Sequence, residues 1–183
     1  PHLLRSSLRS LESCTERGSY RLTIINDGDY RGKDHDANLV EEEFSNIIDH
    51  VLINKKNSGL GPSINMALAH IDTLKRWDTS PNPFTCYIQD DILFSPDWLQ
   101  KLERNFAALE PVLKLGFASG IESIEHPVKM KLAKGMVTKD WIRATCMFAR
   151  HDYWMSMWPI SRIDPETGRE RGKPNDGLGS SVD

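Results

Sequence analysis

Cysteine is scarce in this chain. Cys14, Cys86 and Cys146 are its three thiols in 183 residues. They stand far apart and form neither a CxxC metal pair nor a disulfide framework. The expectation is buried reduced thiols, in a cytoplasmic protein or one facing the cytosol at a membrane. No apolar run approaches the roughly 20 residues that cross a bilayer. The opening "PHLLRSSLRS" has no long apolar h-region, which makes it a poor signal peptide. No polybasic block is present and the net charge is -3, so nucleic-acid binding has little electrostatic support. The six histidines share no spacing and form no His-x-His or His-Glu-x-x-His zinc pattern. Neither a P-loop nor a GxGxxG is found, and there is no internal repeat or low-complexity tract.

What is present is ordinary for a folded domain. Hydrophobic residues make up 39% of a length sufficient for one domain with its own core. The order of elements carries more information. Leu4, Leu8 and Leu11 predict an opening helix, and "RLTIIN" a strand. "NLVEEEFSNIIDHV" reads as a helix and "HVLINKK" as a short strand. Ile64, Ala67, Leu68, Ile71 and Leu74 predict a helix from Ser63 to Trp77. "FTCYIQ" predicts a strand. Ser95 as N-cap and Pro96 at the first helical position predict the next helix. "KLGFASG" predicts another strand. This alternation predicts an α/β fold with a mostly parallel, Rossmann-like sheet flanked by helices. Beyond Gly120, two extended pieces around Lys134 and Gly135 run into the strand "ATCMFAR". A short helix, "HDYWMSMWP", and a polar loop over 161–183 follow. The chain opens in a helix and stops after a loop, so the expectation is a clipped or partly represented protein.

Three successive strands end in groups suited to a polar ligand. "LTIINDGD" ends in Asn26, Asp27 and Gly28. The second strand ends in "KKNSGLGPSIN", where Asn57, Gly59 and Gly61 precede a helix whose free amides favour anions. The third ends in "YIQDDILFSPDW", with Asp90 and Asp91 at the tip. Taken singly, these are a turn, a helix entry and a solvated turn or cap. Taken together they point to a crevice at the carboxyl ends of the strands. Adjacent carboxylates repel unless a positive charge lies beside them. Hard oxygens suit Mn²⁺ or Mg²⁺, and a site with one or two carboxylates is completed by substrate phosphates. Trp141, Trp154 and Trp158 offer aromatic faces for an acceptor sugar, although core packing is the better account of at least two. His70 reads as a helix-face residue and Cys146 as core.

The set "INDGD", "NSGLGPSINMAL" and "QDDILFSPDWL" resembles the family 2 glycosyltransferases, which have the GT-A nucleotide-sugar-binding fold. The resemblance runs from Pro1 to about Trp154. It implies one domain over 1–183, with 1–120 the nucleotide-sugar-binding half and 121–183 the acceptor-side half. By resemblance, Asp27 or Asn26 meets the nucleotide base, and Asn57 and Gly59 line its pocket. Asn65 buttresses the helix. Asp90 lies near the ribose and donor sugar, and Asp91 binds the metal. Gln89 stands where many members have Asp. The catalytic base falls to Asp183, with Asp176 behind it, although the family's Glu-Asp pair is absent. The implied reaction is sugar transfer from a UDP- or GDP-linked donor to a sugar, lipid or protein hydroxyl, with inversion. A sugar nucleotidyltransferase and a catalytically silent nucleotide-sugar-binding scaffold are the competitors. The family's first strand is missing, which implies a rearranged sheet or a strand supplied from elsewhere, with a homo-oligomer left open.

Overall fold

The computed structural model describes residues 2–28, 40–77, 83–120, 128–132, 136–139 and 145–160. The first helix, α1, spans His2–Cys14, and its buried face carries Leu8 and Leu11. Strand β1, Thr23–Asn26, pairs in parallel with β2, His50–Ile53. Helix α2, Leu60–Trp77, follows. Strand β3, Phe84–Ile88, leads to α3, Trp98–Leu109. Met130–Lys131 (β4) and Val137–Thr138 (β5) form a small antiparallel hairpin. Strand β6, Cys146–Arg150, runs antiparallel to β3 and passes directly into α4, His151–Ser156.

The chain is thus a mixed α/β fold with small sheets. Among the described residues, β1 and β2 are the one parallel pair, and β3 pairs with β6 in a separate antiparallel sheet. One continuous, mostly parallel sheet is not present in these residues. The expected strand "KLGFASG" contributes a single bridge, Ala118 to Phe148, on the far side of β6. The physical reason lies in β6. Its return beside β3 is antiparallel, which an alternation of helices and strands alone does not foretell.

Alternation along β6 builds the core. Cys146 and Phe148 face α3, where they pack with Leu99, Leu102 and Phe106. Met147 and Ala149 face the other way and pack with Ile64 and Leu68 of α2 and Trp154 of α4. This sheet therefore has helices on both faces. A third cluster joins Leu8 of α1 to Val40, Phe44 and Ile47, with Leu22 and Ile24 packed against it. Residues 40–48 form helical turns, with Phe44 N–H donating to Val40 O and Ile48 N–H to Phe44 O. The expected helix start at Asn38 lies outside the described residues, as do Lys134 and Gly135.

Two carboxylates pin the β1–β2 pair, one at each end. At its start, Asp49 accepts from the Leu22 amide at 2.7 Å and from Arg17 Nη2 at 2.7 Å. At the far end Asp27 does the equivalent work. The α3 start differs from its expected position. Asp97, not Ser95, is the N-cap, in a left-handed conformation with φ 59° and no side-chain cap bond. The Ser95 carbonyl instead accepts from Trp98 N–H in the preceding turn.

Candidate functional site

The tip of β1 is built around one carboxylate. Asp27 Oδ1 accepts from Asn54 Nδ2 at 2.7 Å, from the Ser58 amide at 3.0 Å and from Ser58 Oγ at 2.7 Å. Asp27 Oδ2 accepts from the Gly59 amide at 2.8 Å. Asn54 Nδ2 also reaches Ser63 Oγ at 3.1 Å, on the first turn of α2. Burial pushes the Asp27 carboxyl up, but the bonds from Ser58, Ser63 and Asn54 outweigh it and hold it below the usual range.

This arrangement changes what the glycine turn does. The amides of Ser58 and Gly59, at the N-terminus of α2, are the groups the sequence offered to an outside anion. They are already bonded to Asp27. The chain's own carboxylate thus complements the helix dipole. Asp27 joins the β1 tip, the β2 tip and α2 into one unit. Asn57 Oδ1 adds an acceptor for the Gly59 amide at 3.2 Å. Gly28 makes the close approach possible. A Cβ there would lie 2.6 Å from the Lys56 carbonyl carbon, and its φ is 75°. Gly59 also needs its residue type, at φ 85°.

The tip of β3 is different in character. Gln89 is half-buried, and its amide donates to the Thr145 carbonyl at 3.0 Å. Asp90 and Asp91 follow as an exposed turn. Behind them the Tyr87 hydroxyl is pushed up to about 12, mainly by burial, with the charges of Asp90 and Asp91 adding to the rise and a Gln89 bond opposing it. Tyr87 packs against the cluster that includes Leu60 and Ile64. The start of α2 and β3 therefore pack on one core cluster.

Sequence reasoning missed the residues that hold the segment after Asp91. Ser7 Oγ of α1 donates to the Ile92 carbonyl at 2.6 Å. Ser10 Oγ donates to the Phe94 carbonyl at 3.2 Å and accepts from the Phe94 amide at 2.7 Å. Cys14 Sγ donates to the same carbonyl. Trp98 Nε1 donates to Thr15 Oγ1 at 2.7 Å. Positions 7, 10 and 14 form a polar row beside the leucine stripe. Such spacing was legible, but its backbone partners lie about 80 residues away and were not.

Asp90 and Asp91 supply two hard-oxygen groups on one exposed turn. Among the described residues, no group of three or more His, Cys, Asp or Glu converges to hold a metal. This donor set does not fit an all-protein cage. Two carboxylates are hard-oxygen donors of the type that Mn²⁺ or Mg²⁺ takes together with phosphate and water oxygens. Trp154 is core, 1% exposed, with its indole N–H on the Thr85 carbonyl, whereas Trp158 is 44% exposed. His70 is half-buried on α2, its ring edge-on to His50 at 4.8 Å. Cys146 is buried, and its Sγ lies 4.0 Å from that of Cys86, both thiols being free. Asp176, Asp183 and Trp141 lie outside the described residues. No described helix is long and apolar enough to cross a membrane. Comparison with protein-family models, with curated proteins and with solved structures finds no match for this chain.

Proposed function

We propose that this chain is a metal-dependent glycosyltransferase domain of GT-A type. It takes a sugar from a UDP- or GDP-linked donor and passes it to a sugar, lipid or protein hydroxyl. The observation that carries the reading is the pairing of two strand tips. An exposed Asp90-Asp91 turn ends β3, and the Asp27-centred tip of β1 and β2 is locked to α2, whose Leu60 packs on the same core cluster as Tyr87 of β3. Polar groups at strand ends suit a charged and hydroxyl-rich ligand.

In this reading the crevice holds the nucleotide, with Asn26 and Asn57 at the base and Asp90 toward the ribose and donor sugar. Asp27 acts by fixing the pocket wall, since its oxygens are committed to the chain. Asp91 would hold Mn²⁺ or Mg²⁺, which when bound lends positive charge to the leaving diphosphate. The acceptor oxygen forms its bond to the anomeric carbon as the carbon–oxygen bond to the diphosphate breaks. The acceptor proton goes to a carboxylate base, assigned to Asp183 with Asp176 as the alternative, and the configuration inverts.

The internal commitment of Asp27 favours one second reading, a nucleotide-sugar-binding scaffold that does not turn over. A donor panel separates the two. With UDP- and GDP-sugars, hydroxyl acceptors and manganese, the transferase releases nucleoside diphosphate catalytically as the sugar passes to the acceptor, and Asp91→Ala abolishes release. Donor binding without release supports the scaffold and contradicts the transferase.

A further inference from the structure

Asn65 stands on α2, about 9 Å along the helix axis from Gly59 at the usual rise per residue. Both ends of its carboxamide are used. Nδ2 donates to the Ile160 carbonyl at 3.0 Å, and the Ile160 amide donates to Oδ1 at 2.7 Å. The Asn65 carbonyl also accepts from Trp158 Nε1 at 3.4 Å. The side chain of Ile160 then reaches the first turn of α2, where a Cβ on Gly61 would meet its Cγ2 at 3.9 Å. The segment after α4 is thus laid along the N-terminal half of α2. Trp158 remains 44% exposed while its indole N–H reaches the Asn65 carbonyl.

A side-chain amide that pairs both its groups with one distant backbone acts as a strand would. It fixes direction and register as well as contact. An apolar residue would serve burial alone, so the pairing asks for a further role. A sugar ring has an apolar C–H face and a polar rim. An exposed indole fastened to α2 suits the first, and the polar strand tips at the start of that helix suit the second.

We propose that Asn65 is a positioning residue. It locks residues 158–160 onto α2 and so holds the Trp158 indole as the wall against which the acceptor sugar stacks. The inference rests on the glycosyl-transfer reading above. Asn65 does not touch the nucleotide in this account, so its loss separates acceptor binding from nucleotide binding.

The test uses the whole chain and its Asn65→Leu and Asn65→Asp variants. Three quantities are read: amide hydrogen exchange, affinity for UDP and GDP with manganese, and transfer from a panel of UDP- and GDP-sugars to p-nitrophenyl glycosides. In Asn65→Leu the Ile160 amide exchanges at least tenfold faster while the β6 amides keep their wild-type rates. Nucleotide affinity stays within twofold. The acceptor KM rises at least tenfold with kcat within threefold. Asn65→Asp keeps an acceptor for the Ile160 amide and recovers part of the loss. An unchanged acceptor KM despite faster Ile160 exchange overturns the inference. So does a loss of nucleotide affinity in step with faster β6 exchange, which marks general destabilisation. A wild-type chain that binds UDP or GDP and transfers no sugar from the panel overturns the glycosyl-transfer reading and this inference with it.

Discussion

Asp27 shows how one residue can decide the shape of a site. Its carboxylate accepts bonds from two backbone amides, a hydroxyl and a carboxamide on a segment about 30 residues away. Charge-assisted bonds of this kind are individually worth more than neutral ones. Asp27→Asn keeps the size but presents an NH₂ to donors, and should cost about 2–3 kcal/mol in urea unfolding at neutral pH. The pH dependence has a definite sign. The folded carboxyl titrates below its unfolded value, so its contribution is present above the ordinary aspartate range and is lost as pH falls through the folded value. Asp27→Asn should therefore lose less stability than wild type between neutral and acid pH. Gly28→Ala faces both a positive φ and a 2.6 Å backbone clash, and should destabilise by more than about 1 kcal/mol. The sequence marked Asn26, Asp27 and Gly28 as a turn or a ligand site. The structure adds that Asp27's partners are inside the chain, a fact no local pattern contains.

Among the elements, helices were far more legible than sheets. Apolar spacing located α1, α2 and α4 because a helix face is a local pattern. The start of α2 at Leu60, ahead of the expected Ser63, follows from Asp27 filling the amides before it. That contact is long-range and silent in the sequence. The α3 start moved for a related reason, since Asp97 turns left-handed and ends the preceding loop. A non-glycine residue at φ 59° carries a local cost. Asp97→Gly should raise the melting temperature, for a gain of about 0.5–1 kcal/mol. The grip of α1 on residues 92–98 rests on hydroxyls. Ser10→Ala removes a group that both donates and accepts, and should cost about 1–2 kcal/mol. Under the proposed function it also weakens manganese-dependent nucleotide binding, because the loop after Asp91 loses its tether.

For the molecule as a whole, the composition and the alternation of elements were enough for the α/β class and for helices on both faces of a sheet. They were not enough for strand order. Pairing is decided by which edges meet after the helices have packed, and β6 lies antiparallel to β3 on residues about 60 positions apart. Tyr87 links this packing to the β3 tip, since it is partly buried against the α2 cluster and feels the charges of Asp90 and Asp91. Its folded value of about 12 exceeds that of an unfolded tyrosine, so its contribution is intact below about pH 10 and is lost as pH rises toward 12. Tyr87→Phe should flatten that alkaline loss in denaturation curves. The central claim is that the Asp90-Asp91 turn and the Asp27-locked tips form one metal-dependent nucleotide site. Its most direct measurement is calorimetric titration of UDP and GDP, with and without manganese, into wild type and Asp91→Ala. The account predicts binding that needs manganese and is lost in Asp91→Ala while the fold is retained. Absence of binding to either nucleotide under both conditions, or equal binding by the two proteins, would contradict it.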